Sequence, residues 1–140
     1  MTPTALSALH RSAFTTPRPW SAAEITALLT GIGVFWLGDP RGFVMGRSVA
    51  GEVEVLTLAV APERRRQGVA RALMQGFADQ AIATGATTAF LEVAADNAAA
   101  IALYLSLGYT PAGRRRGYFE TPQGQRIDAL VMTKALATPV

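Results

Sequence analysis

The chain contains no cysteine, one histidine and one lysine in 140 residues. Without thiols it has no disulfide framework, no thiolate metal site and no cysteine nucleophile. The lone His10 cannot furnish a His-rich metal cluster or a convincing catalytic triad, so no metal site is expected. Charge is also sparse. Charged residues make up 16% of the chain, against about 25% in a typical globular domain. No apolar run approaches the roughly 20 residues a membrane-spanning helix needs. The N-terminus lacks a basic start followed by an apolar stretch, so no secretion signal is read. A cytoplasmic protein with no membrane contact is the expectation.

What is present suffices for a core. Half the residues are apolar, which rules out a disordered or purely solvated chain. The length fits one domain over residues 1–140, since domains commonly run about 100–150 residues. The net charge is +3, and arginine supplies all the cations but Lys134. Six arginines fall in two triplets, Arg64–Arg66 and Arg114–Arg116. Clustered guanidinium groups suit phosphate, because each offers a planar fork of donors. A nucleic acid, a phosphorylated cofactor and a solvated strip all fit at this point.

The pattern along the chain alternates helices and strands. Residues 3–13 read as a short helix with Leu6 and Leu9 inward. Pro17 and Pro19 then impose a loop. Ser21 and Glu24 form a capping box, with Trp20 and Ile25 as its hydrophobic staple, and that helix ends near Gly31. Val34–Leu37 and Phe43–Val49 read as strands around a Gly38-Asp39-Pro40 turn. Residues 52–60 alternate at first and then turn wholly apolar. They read as one long strand running from surface to interior, stopped by Pro62. From Gly68 to Gly85 the period becomes helical, with Ala70, Leu73, Met74, Phe77 and Ala81 on one stripe. Thr87–Ala94 is a strand. Asn97 caps a helix carrying Ile101, Tyr104 and Leu105, which Gly108 ends. Tyr109–Phe119 and Arg126–Thr133 read as a hairpin about Thr121–Gly124. The expected architecture is mixed α/β, a central and mostly antiparallel sheet with helices on both faces.

Two stretches carry chemistry. In the first, the strand ending Leu58-Ala59-Val60 gives way to an arginine-rich loop and then to a helix at Gly68. The first amides of a helix lack internal partners and lie at the positive end of its dipole. That makes an anion site suited to a pyrophosphate. Gly68 allows close backbone approach, while Arg65, Arg66 and Arg71 add charge. The spacing equally fits a tight turn with a solvated rim. It is neither a Walker loop nor Gly-x-Gly-x-x-Gly.

In the second stretch, Glu92 interrupts an apolar strand. A carboxylate there is costly unless it is paired or works beside a cavity. Burial would push it toward the range of a general base. Alternatively it points to water at the sheet end. Tyr104 sits among small and apolar helical neighbours, where core packing is the plainer role.

Together these stretches resemble the GCN5-related N-acetyltransferase (GNAT) superfamily. Its cofactor loop, Arg/Gln-x-x-Gly-x-Gly/Ala, is matched by Arg65-Arg66-Gln67-Gly68-Val69-Ala70. Its downstream pattern is matched by Asn97, Ala100, Leu103, Tyr104, Gly108 and Tyr109. Pro19-Trp20-Ser21, Leu91-Glu92-Val93, Arg115-Arg116 with Tyr118, and Asp128–Met132 are most similar to the branch that acetylates the N-terminal alanine of a ribosomal protein. Two departures stand out. Ala70 replaces the commoner glycine, and Phe119 replaces a second tyrosine. The N-terminal third matches little beyond Pro-Trp-Ser.

The resemblance implies direct acetyl transfer from acetyl-coenzyme A to a protein or peptide N-terminus. The cofactor would lie along Leu58, Ala59 and Val60, with its pyrophosphate on Arg66–Arg71 and Gln67, Val69 and Ala70 in the same loop. Asn97 would hydrogen-bond the cofactor arm. Glu92 is the implied base and Tyr104 the implied acid. Glu54 is the second choice of base, although a solvated strand face explains it better. Trp20 could touch the acceptor, but the staple already accounts for it. Tyr118 fits the acceptor mouth and cross-strand packing equally. The Arg114–Arg116 triplet fits a solvated face, a phosphate contact or a docking strip. A small amine, an amino acid or a lysine side chain is the alternative acceptor. An RNA-binding module is disfavoured, because no set of aromatics interleaves the arginines. A monomer or weak dimer is expected.

Overall fold

The computed structural model describes residues 1–14 and 18–136. Pro17, one of the two loop-forming prolines, lies outside the described residues. In chain order the elements are α1 (Pro3–Ala13), α2 (Ala22–Leu29), β1 (Val34–Asp39), β2 (Gly42–Val49), β3 (Glu52–Val60), a 3₁₀ turn (Pro62–Arg64), α3 (Val69–Ala83), β4 (Thr88–Ala94), α4 (Ala98–Ser106), β5 (Thr110–Glu120) and β6 (Arg126–Ala135). One six-stranded sheet runs β1-β2-β3-β4-β6-β5. All neighbours are antiparallel except β3 and β4. The sequence reading of a mixed, mostly antiparallel sheet holds, with element ends displaced by a residue or two. The strand β1 runs on through Gly38 and Asp39, so the turn falls at Pro40-Arg41.

Strand alternation sends side chains to two cores. On one face Val44, Val53, Val55, Leu91 and Val93 meet Met74, Phe77 and Ala81 of α3 and Tyr104 of α4. On the other, Phe43, Met45 and Ala59 meet Leu6 and Leu9 of α1 and Ile25 of α2. Phe43 and Phe77 are fully buried, each such burial contributing about 1.5–3 kcal/mol relative to exposure. Of the α4 residues, Tyr104 is buried and Leu105 is among the exposed apolar side chains.

One irregularity shapes the rest. Met45 pairs with Thr57, but the next residue, Gly46, pairs with Val55. Leu56 is therefore an extra residue, a β-bulge, in β3. Bulges reverse the alternation and sharpen local twist. Accordingly Val53 and Val55 face α3, but Ala59, an even number of residues on, packs with Leu56 on the α1 face. The parallel ladder to β4 ends at the same step, with Val55 opposite Leu91. Beyond it β3 and β4 part, leaving unpaired backbone on both facing edges.

The wall beside this opening is held by His10, which is fully buried. Its Nδ1 accepts the Trp20 N–H at 3.1 Å. The neutral ring therefore carries its proton on Nε2 and donates it to Thr57 Oγ1 at 3.0 Å. Trp20 stacks on the ring at 4.8 Å. One imidazole thus ties α1 to the entry of α2 and to the bulged strand. Burial lowers its pKa from 6.5 to about 4. The Glu24 charge opposes that shift and Arg18 adds to it.

The folded pKa lies below the unfolded one, so the unfolded chain binds the proton first as pH falls. Stability is complete above about pH 6.5 and is lost down to about pH 4. From pH 7 to 4.5 we expect a loss of about 2–3 kcal/mol from this group, measured by denaturant unfolding. His10→Gln should flatten the profile over that window; an unchanged slope would refute the assignment.

Candidate functional site

The parting of β3 and β4 opens a cleft of about 750 Å³, within the range of small-molecule sites. It is lined by Leu58 and Val60 of β3, by Arg64–Arg66 and Gly68–Arg71, by Glu92 of β4, by Asn97, and by Leu103 and Tyr104 of α4. Ala13, Phe14 and Phe119 also line it. Most of the residues expected from sequence meet here.

At one end the chain leaves β3 through the 3₁₀ turn and enters α3. Two residues in this loop are left-handed, Arg66 at φ 64° and Gly68 at φ 79°. For an arginine that conformation costs about 1–2 kcal/mol, and such strain concentrates at functional sites. Left-handed residues beside a helix start gather N–H groups into an anion-binding concavity. An added Cβ at Gly68 would meet nothing within 4 Å, so this position is open to the cleft. Arg65 reaches the Ala13 carbonyl at 3.3 Å, and Arg71 reaches Ser106 Oγ at 2.8 Å. Arg64 and Arg66 form no ion pair among the described residues.

At the other end stand Glu92 and Tyr104. Glu92 shares the strand face of Ala94 and is paired laterally to Val131 of β6. Its side chain is 16% exposed, and Arg115 Nε lies 3.0 Å from Oε1. The carboxylate is therefore both charge-paired and turned to the cavity. Tyr104 arrives from the opposite face of the sheet. Its ring packs edge-on against Tyr109 with centroids 5.8 Å apart. Burial holds its hydroxyl pKa well above that of ordinary tyrosine, so it keeps its proton at all physiological pH. Burial raises Tyr109 to about 12.

Other expected residues lie elsewhere. Ala59 is buried against the α1 face. Gln67 turns from the cleft and donates to the Glu63 carbonyl at 3.2 Å. Trp20 is stacked on His10 and stays in its staple position. Glu54 is ion-paired with Arg47 at 2.9 Å. Tyr118 is 48% exposed, beneath the Arg115 guanidinium. Asn97 lines the cleft, but its Oδ1 accepts the Ala100 N–H at 3.2 Å as the cap of α4. Two of the three hairpin arginines are committed: Arg115 to Glu92, and Arg114 to Asp128 at 2.9 Å. Phe14 was not singled out from sequence, and Arg115 was read only within its arginine triplet, not as the partner of Glu92. Both depend on how distant elements come into register. Among the described residues no three His, Asp or Glu gather as metal ligands, and no helix is long and apolar enough to cross a membrane.

Residues 4–109 match the model of the acetyltransferase (GNAT) family. The [ribosomal protein bS18]-alanine N-acetyltransferase of Escherichia coli is 43% identical over 95 residues, which is 68% of this chain and 64% of that protein. The N-terminal acetyltransferase B complex catalytic subunit of Schizosaccharomyces pombe is 36% identical over 74% of this chain and 61% of its own length. The matched stretch thus spans less than two thirds of these curated relatives. The crystal structure of the ribosomal-protein-S18-alanine N-acetyltransferase from E. coli superposes with a TM-score of 0.86 and 32% identity, covering 99% of this chain and 90% of that one.

The cap predicts a stability effect separable from any ligand. Asn97→Ala should cost about 1 kcal/mol in unfolding free energy, read by denaturant titration without added ligand. No loss would mean that the Oδ1 contact contributes nothing to α4.

Proposed function

The chain belongs to the acetyltransferase (GNAT) family, and from that premise we propose that it transfers acetyl from acetyl-coenzyme A to the α-amine of an N-terminal alanine, on a ribosomal protein. The observation that carries this reading is the cleft at the parted strands. It has an anion nest at one end and a carboxylate with a tyrosine at the other. The E. coli relative, named for acetylating the alanine of a ribosomal protein, supports the choice of acceptor. This reading brings a cytoplasmic location with it.

The residues fit coenzyme A. The free edge at Leu58 and Val60 offers N–H and C=O groups to an amide-bearing arm, as a paired strand would. The amides from Arg66 onward, with the nearby guanidinium groups, suit a pyrophosphate. When bound, acetyl-coenzyme A supplies an activated thioester carbon and a thiolate leaving group.

An amine attacks only when neutral. An α-amine has a pKa of about 7.7–8.0, so about a tenth is neutral at pH 7; lysine, near 10.4, is neutral about once in a few thousand molecules. A carboxylate base suffices for the first and serves the second poorly. Glu92 takes the proton from the attacking nitrogen. Tyr104, kept protonated by burial, points its O–H at the departing sulfur as the C–S bond breaks. Complete transfer to a thiolate whose thiol titrates near about 8.5 would run uphill, so the hydrogen bond itself is the stabilising contact. Positioning the two substrates contributes the rest.

The deciding experiment is an acetyl-transfer assay with a short alanine-starting peptide, following thiol release and the acetylated position by mass spectrometry. Product at the α-amine, absent when that amine is blocked, is expected. Acetyl-coenzyme A binding with no peptide product would redirect the acceptor to another amine. Glu92→Gln and Tyr104→Phe should bind acetyl-coenzyme A normally and turn over about a hundredfold or more slowly; wild-type rates in both would remove their roles. Gly68→Glu should weaken acetyl-coenzyme A about tenfold or more, the worth of one charge-assisted hydrogen bond. Unchanged affinity would mean that the loop does not hold the phosphates.

A further inference from the structure

Five ion pairs join arginines to carboxylates among the described residues. Four contain aligned hydrogen bonds: Arg18 with Glu24, Arg41 with Asp39, Arg47 with Glu54, and Arg114 with Asp128. The fifth, Arg115 with Glu92, is held by charge alone. Its Nε lies 3.0 Å from Oε1, but no described donor is aligned on the Glu92 carboxylate. Yet Glu92 is the least exposed acid of the five, at 16%. A carboxylate so enclosed should have the best hydrogen bonds, because it has lost the most water. It instead keeps open acceptor sites facing the cleft.

The sheet explains how Arg115 reaches it. Arg115 of β5 pairs with Ala129 of β6, which pairs with Ala94 of β4. Ala94 and Glu92 share a strand face. The two alanines have no bulk beyond Cβ, so the guanidinium crosses above them diagonally to Glu92. It comes from the water side, its own side chain being 57% exposed. The Tyr118 ring already lies 5.1 Å from its Cζ, a contact that can hold the cation without Glu92.

We propose that Arg115 is a displaceable counter-ion, seated on Glu92 where the acceptor's amine docks and yielding that seat when the acceptor binds. The inference rests on the acetyltransferase reading above. Near neutral pH an α-amine arrives mostly as ammonium, a cation with three N–H donors that can align on Glu92 where Arg115 does not. Arg115 then gives up Glu92 and keeps to the Tyr118 ring and water. It tunes acceptor affinity and takes no part in bond making.

The test compares Arg115→Gln and Arg115→Lys with the wild type on an alanine-starting peptide, with acetyl-coenzyme A affinity as the control for folding. Arg115→Gln should lower the acceptor KM about two- to fivefold, the worth of one exposed ion pair. Arg115→Lys, which retains a competing cation, should stay near the wild type. An unchanged or raised acceptor KM in Arg115→Gln, or a loss confined to kcat, would overturn the proposal. If the wild type yields no product, the reading of an N-terminal alanine as acceptor fails separately. The peptide's dissociation constant, measured calorimetrically with coenzyme A present, still decides the exchange: tighter binding to Arg115→Gln supports it, and equal or weaker binding overturns it.

Discussion

An extra residue in a ladder cannot be absorbed without turning the strand, and Leu56 is that residue. Up to Val55 the central strand is paired on both sides. After Leu56 it keeps β2 and loses β4. Everything attributed to the site follows from this step. Unpaired backbone in a core is costly unless something hydrogen-bonds it, so a parted sheet suits an extended, amide-bearing ligand. The sharpened twist also swings Leu58 and Val60 to the cleft and delivers the chain to the arginine loop at the mouth. Gly46, opposite the irregularity, has no Cβ because one would collide with the Phe77 ring. The α3 helix can therefore lie close against the strands just where they separate.

The opening needs a rigid wall on each side, and the two walls are built differently. The α3 and α4 face relies on apolar packing around Phe77 and Tyr104. The α1 and α2 face is smaller and adds a polar tie: His10 between the Trp20 amide and Thr57. Thr57 is the residue after the bulge. The same histidine therefore fastens the distorted strand to α1 and to the entry of α2. A neutral ring can both accept and donate; a protonated ring would set N–H against N–H at Trp20. The wall is thus stable only while His10 is uncharged.

Much of the fold could be read from the chain because its signals are local. The Ser21–Glu24 capping box, the α3 stripe and the Asn97 cap each declare themselves within a few residues, as does the arginine-rich loop around Gly68. Glu92 stood out because it breaks an apolar strand. The bulge was not legible: residues 52–60 show a change of pattern, but an extra residue is defined only against β2. The partner of Glu92 was hidden for the same reason. It lies two ladders away, and Arg114–Arg116 read as a uniform run of charge. The hairpin resolves them, because Gly117 at φ 57° and its N–H on Asp128 reset the strand. Arg114 and Arg115 then find different carboxylates.

The two arginine triplets consequently do opposite work. Arg64–Arg66 follow a strand end, meet no carboxylate among the described residues, and leave their charge available to a ligand. Arg114 and Arg115 lie on a sheet edge beside acids and are largely neutralised within the molecule. A basic chain can thus present its positive field mainly at the loop around Gly68, while holding less of it beside Glu92. Arg115 still sits on Glu92, the least exposed of the five ion-paired acids, without hydrogen-bonding it, and the neighbouring Arg116 forms no ion pair among the described residues. The asymmetry suits an enzyme that must attract a polyanionic donor and admit an ammonium acceptor through neighbouring parts of one cleft.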